Sequence, residues 1–175
     1  MRILAVIGAL AIIVAIGASV FFFGGFYSVA GTAEDSSAVT WALTKVRTAS
    51  IDRHAQDQPP SSINEASSVQ AGAKAFAAHG CPTCHGGPGV SWAKFSEGLH
   101  PDPSDLKEVV SDTSPAQLFW VVKNGINMTG MPSFAQAGAK DEEIWSIVAF
   151  LKKLPSVSEA DYKAWTNSEA PAASK

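Results

Sequence analysis

The sequence predicts an all-α chain: one N-terminal transmembrane helix, then a small helical domain. Three observations carry this. Residues Ile3 to Phe23 form a run without a single charge. Later segments repeat apolar residues at helical spacing, between residues that start and stop helices. No alternating apolar run of strand length stands out, and no internal repeat.

The length of 175 residues suits one domain plus extras. A net charge of −3 is too small to point to nucleic acid or to an acidic partner. The hydrophobic content of 46% is concentrated at the start. The 21 residues from Ile3 to Phe23 make a helix about 31 Å long, enough for a bilayer core of roughly 30 Å. Tyr27 follows at a position suited to the lipid–water interface. A cleaved signal peptide is the rival reading, with Ala30-Gly31-Thr32-Ala33 as a late cut site. Its apolar region should be only about 7–15 residues, and Phe21-Phe22-Phe23 sits where cleavage should begin. Residues 1–27 are therefore read as a retained anchor. Arg2 is the only charge before the span, so the N-terminus is expected in the cytoplasm. The rest then lies on the periplasmic side of a bacterial inner membrane.

Residues 28–62 read as a linker containing one helix. Asp35, Ser36 and Ser37 are candidate N-caps. Val39, Leu43 and Val46 recur at helical spacing up to about His54. Lys45, Arg47 and Arg53 lie among them. The helix rests on lipid head groups or a partner subunit, or else it is an ordinary solvated helix; the low basic count leaves both open. Asp57 to Ser62, with Pro59-Pro60, ends it.

The domain proper is placed at residues 63–165. Ser67-Ser68 are expected to cap a helix that runs to about His79 and stops at Gly80. Gly72 and Phe76 share a face of it. Trp92, Phe95 and Leu99 are scattered through the next loop. Ser104 is expected to cap a short helix over 105–110. Ser114, Pro115 and Gln117 spell a capping box for a helix ending before Gly125. Asp141 is expected to cap a long helix to about Lys153, with Ile144, Ile147, Val148 and Leu151 as its buried stripe and Pro155 as its stop. Ser158 to Trp165 forms one more short helix. Residues 166–175, rich in Ala and Ser, read as a disordered tail.

The chemistry is concentrated in Cys81-Pro82-Thr83-Cys84-His85, which holds the only two cysteines. This is the C-x-x-C-H pattern of covalent haem attachment. The spacing lets both sulfurs reach two vinyl groups on one porphyrin edge. The histidine that follows is then held under the ring, where its imidazole can bind iron. Three rivals exist for the pair: a structural disulfide, a thioredoxin-like redox site using the CPTC pair, and half of a zinc site. Zinc would need two more ligands from His54, His79, His85 or His100, and none of these pair at finger-like spacing. A thioredoxin site needs βαβ context, which the flanks lack. One covalently bound haem c is the reading adopted. A porphyrin would also supply apolar volume that a domain this small lacks.

With these residues in view, the stretch from about Ser68 to Pro155 resembles a class I c-type cytochrome. The resemblance rests on Gly72 and Phe76, on Cys81, Cys84 and His85, on Gly130-Met131-Pro132, and on Ile147 with Phe150. It implies the cytochrome c fold, with helices wrapped round one haem. It also implies that the first and last helices of the domain cross, glycine against aromatic, which would explain a glycine in mid-helix. The segment before the domain resembles, less specifically, the tether of membrane-anchored bacterial mono-haem cytochromes.

The resemblance assigns the sixth iron ligand to Met131. A thioether is soft and uncharged, favours reduced iron and closes the sixth position. Met128, three residues earlier, is the competitor, and Pro132 stiffens the loop beside Met131. The His85 nitrogen away from iron should donate to a backbone carbonyl, with Pro88, Pro101 and Pro103 as candidates. Trp92, Trp120 and Lys123 are candidate propionate donors, although each also reads as an ordinary core or surface residue.

The implied function is one-electron transfer in a periplasmic electron-transport chain, as a free-standing carrier or as a subunit of a respiratory or dehydrogenase complex. Redox proteins or such a complex are the expected partners. No nucleophile, acid–base pair or phosphate loop suggests an enzyme. The alternatives are a haem enzyme or gas sensor with a labile sixth ligand, and a thiol-disulfide oxidoreductase.

Overall fold

The structure is a computed structural model and describes residues 1–167. The chain forms two compact units, the first spanning Met1–Asp35 and the second beginning at Ser36. Among the described residues there is no strand, only an isolated bridge between Gly87 and Val90.

The first unit is built on helix α1, Arg2–Phe23. Its 22 residues make it about 33 Å long. Its composition and length suffice to cross a membrane, and none of it is buried. After it the chain turns, and the Tyr27 hydroxyl donates to Asp35 Oδ1 at 2.6 Å.

The second unit starts with α2, Ser37–His54, whose N-cap Ser36 accepts from the Val39 amide at 3.4 Å. The stripe of Val39, Leu43 and Val46 is not buried. The helix packs instead through its last turn. Asp52 Oδ1 accepts from Gln117 Nε2 at 2.6 Å, and the His54 ring stacks on Trp120 at 5.9 Å. The linker helix of the sequence reading therefore leans on the domain.

The domain is organised by α3, Ala66–Ala78, and α7, Asp141–Lys153, whose interface is the largest in the fold. Gly72 sits at its centre. A Cβ there would overlap the Ser146 carbonyl and lie 2.9 Å from Phe150 Cβ. The glycine thus meets backbone first and the aromatic residue second, a closer approach than glycine against a ring. Four residues on, the Phe76 and Phe150 rings lie 5.2 Å apart. Ile144, Ile147, Val148 and Phe150 are fully buried. Each such side chain contributes about 1.5–3 kcal/mol of burial.

Three helices close round this pair. In α6, Pro115–Asn124, the capping box forms as the sequence spells it, and Phe119 stacks on Trp145 at 4.1 Å. In α8, Glu159–Asn167, Tyr162 stacks on Phe150 at 5.6 Å. In α5, Leu106–Asp112, the C-terminal carbonyls are capped from afar: Lys152 Nζ donates to Val110 O at 2.6 Å and to Thr113 O at 3.1 Å. Short 3₁₀ turns at Ser61–Asn64, Lys94–Gly98 and Leu154–Ser156 complete the path.

Several caps differ from expectation. Helix α3 starts at Ala66 behind Glu65, so Ser67 and Ser68 lie inside its first turn. Helix α5 is capped by Asp105, which accepts from the Lys107 amide at 2.8 Å, and not by Ser104. Asp141 is the first residue of α7 behind Lys140; its carboxylate is engaged by Lys123 Nζ at 2.8 Å. Thr166 and Asn167, read as the start of a disordered tail, belong to α8. The remainder of that tail, 168–175, lies outside the described residues.

Candidate functional site

The site grows from the end of α3. The chain turns through Gly80 into a one-turn helix α4, Cys81–His85, with Pro82 at its second position. Proline is tolerated there because the first turn of a helix has amides without intrahelical partners. One turn puts residues three apart on the same side, so Cys81 and Cys84 share a face. Both are free thiols and both are partly buried. Cys81 packs against the domain core, near Tyr162.

Burial pushes the Cys81 thiol up to about 12, and Cys84 beside it adds to the rise. A thiol-disulfide oxidoreductase needs the opposite, a thiol pushed down so that thiolate attacks. Cys81 therefore lacks the lowered thiol that the redox-thiol reading calls for. Among the described residues no group of three or more His, Cys, Asp or Glu side chains is placed to hold a metal ion.

His85 is held by a bond the sequence did not reveal. Its Nδ1 lies 2.9 Å from the carbonyl oxygen of Ser104. A carbonyl only accepts, so Nδ1 carries the proton. In neutral imidazole the lone pair is then on Nε2, which is the state of a metal ligand. The acceptor is one residue beyond Pro103 and is none of the three prolines expected. It lies just ahead of Asp105, so the cap of α5 fixes the peptide that orients the ring.

Met131 and Met128 are treated differently by the fold. Met131 is partly buried and packs against the core. Met128 is 90% exposed, on a loop apex where its φ is +61°. The Met131 loop is tied to the segment after His85: a Cβ on Gly130 would lie 3.0 Å from Leu99 Cδ1. Of the candidate propionate donors, Trp120 stacks on His54 and Lys123 pairs with Asp141. Trp92 remains exposed.

These residues fit a porphyrin. Two reduced thiols stand on one face of a helical turn, followed by an imidazole whose free nitrogen carries a lone pair. In the loop that follows, Trp92 is 53% and Phe95 64% exposed, apolar surface of the kind a flat hydrophobic group covers. A cavity of ≈ 220 Å³ beside His85, Gly86, Trp92 and Leu106 is too small to be the binding place itself, since cofactor pockets span roughly 300–1,000 Å³.

Comparison with known proteins bears on the domain that carries these residues. Residues 67–151 match the family model described as cytochrome C oxidase, cbb3-type, subunit III. No curated protein and no solved structure matches the chain.

Proposed function

We propose, from the premise that residues 67–151 form a c-type cytochrome domain with covalently bound haem c, that this chain is a membrane-tethered, single-haem electron carrier. Cys81 and Cys84 would form the two thioethers. His85 Nε2 and the Met131 thioether would hold the iron. Bound there, haem c supplies one-electron exchange at its iron.

The chain's own residues do the rest. The Ser104 carbonyl holds the proton on His85 Nδ1 and raises the basicity of the ligand nitrogen. Met131 presents a soft, neutral thioether that favours the reduced state. Tyr162, buried near Cys81, keeps that side of the site apolar. Helix α1 is the anchor, and the domain lies on the periplasmic side, by the charge asymmetry at Arg2. The matched family's description names an oxidase subunit. A role in such a complex, or in a dehydrogenase, is one form of this reading, and a free-standing tethered carrier is the other.

The observation that carries the reading is the His85–Ser104 bond beside two free cysteines on one helical turn. The test is the absorption spectrum of the purified full-length protein. A low-spin, six-coordinate spectrum in both redox states is expected. A high-spin, five-coordinate one would replace the carrier with a haem enzyme or gas sensor.

A further inference from the structure

The loop from Ile126 to Met131 is closed by backbone bonds, among them the Thr129 amide donating to the Ile126 carbonyl at 3.3 Å, and by one hydroxyl. Thr129 Oγ1 donates to the Ile126 carbonyl at 2.7 Å. The same oxygen accepts from the Met131 amide at 3.1 Å. The Met131 carbonyl in turn accepts from the Ile126 amide at 3.1 Å. Both polar groups of Met131's backbone are thus tied, one through a threonine side chain.

A hydroxyl has one proton and two lone pairs. Here the proton goes to Ile126, so the lone pairs face the Met131 amide. The oxygen has a fixed orientation and relays between the two ends of the loop. The approach is tight on the other side too. A Cβ on Gly125, where φ is +69°, would lie 2.6 Å from the Pro132 carbonyl carbon. The loop also holds Met128 at a positive φ, a conformation that costs a non-glycine residue about 1–2 kcal/mol. Such a loop keeps its shape only if something overdetermines it. Within the loop, Asn127 Oδ1 accepts from the Met128 amide at 3.0 Å, and the Thr129 relay closes the other side.

We infer that Thr129 is the positioning residue for the sixth iron ligand: its hydroxyl fixes the backbone of Met131 and so keeps the thioether in place. This rests on the proposal that Met131 binds the iron. Thr129 touches neither iron nor porphyrin in this role; it acts through Met131. Removing the hydroxyl leaves the Met131 amide without its acceptor and loosens the loop there, although the backbone bond from the Ile126 amide to the Met131 carbonyl remains. The thioether then spends more time away from iron. A small ligand that competes for the sixth position binds in proportion to that open fraction.

The experiment uses the full-length holoprotein and its Thr129→Val, Thr129→Ala and Thr129→Ser variants. Three quantities are read: the sulfur-to-iron charge-transfer band of the oxidised protein, the affinity of the reduced protein for carbon monoxide, and the exchange rate of the Met131 amide. Wild type and Thr129→Ser should show the band, weak carbon monoxide binding and a protected amide. Thr129→Val and Thr129→Ala should bind carbon monoxide about tenfold more tightly, the size that one lost hydrogen bond supports. Their band should weaken and the Met131 amide should exchange faster. If wild type shows the band, and Val or Ala leaves amide exchange and carbon monoxide affinity unchanged, the positioning role is wrong while methionine ligation stands. If wild type itself lacks the band, Met131 is not the ligand and both fall.

Discussion

The α-carbon of Gly72 faces the Ser146 carbonyl so closely that no Cβ fits between them. Two backbones meet at the centre of the α3–α7 interface, with Phe150 Cβ just beyond. The obstacle is main chain in mid-helix, which cannot rotate away as a side chain would. Gly72→Ala should therefore overpack the crossing and cost on the order of 1–3 kcal/mol, and Gly72→Leu should cost more. Urea melts of the holoprotein read this directly. An unchanged midpoint for Gly72→Leu would mean the helices do not meet there.

Lys152 is a cap supplied by one helix to another. Its ammonium donates to the carbonyls of Val110 and Thr113, about forty residues earlier in the chain. Lys152→Met keeps the stem and removes both bonds. The loss should be about 1–2 kcal/mol, because the two bonds are partly buried and water can reach part of what is freed. Hydrogen exchange should show the damage first in α5. Equal protection of α5 in the variant and wild type would contradict the cap.

The His54 ring on Trp120 and the Gln117–Asp52 bond hold only the last turn of α2. Trp120→Ala with Gln117→Ala should raise exchange near residues 50–55 and leave the melting temperature of the domain nearly unchanged. Partly exposed contacts of this kind contribute little, of order 1 kcal/mol or less. A large fall in melting temperature would show α2 to be integral to the domain core.

The frame was legible where local chemistry decides it. Ser114, Pro115, Gln117 and Gly125 spell a helix that forms as written, because its cap needs only neighbouring residues. The C-x-x-C-H pattern is legible for the same reason: it is five consecutive residues, which the fold gathers in one helical turn. What stayed hidden depends on residues far apart in sequence. The acceptor for His85 is a main-chain oxygen 19 residues away, and every residue has one, so nothing in the side chain of Ser104 signals it. Asp141 has the chemistry of an N-cap, yet Lys123 of α6 takes its carboxylate. Ser67 and Ser68 are good caps locally. The helix nevertheless starts ahead of them, straight out of the turn at Ser61–Asn64, where Ile63 already packs on the core. Helix α2 was read by its apolar stripe and is held by polar residues at its end. Thr129 carries no signal in the sequence, because a loop threonine is distinguished only by bonds such as its two here.

Cys81 and Cys84 make a prediction independent of the iron. With both thioethers formed, haem should stay with the chain through acid–organic extraction. Either single Cys→Ala variant that still matures should retain it through the remaining thioether, and the double variant should release it. Free extraction from correctly matured wild type would exclude covalent attachment.

Whether His85 and Met131 are the two residues that would bind the iron is tested most directly by carbon monoxide difference spectra of Met131→Ala beside Met128→Ala. Met131 is packed on the core, whereas Met128 is exposed at the loop apex. Met131→Ala should open the sixth position and bind carbon monoxide readily, and Met128→Ala should behave as wild type. The reverse pattern, or free binding of carbon monoxide by wild type itself, would contradict the account.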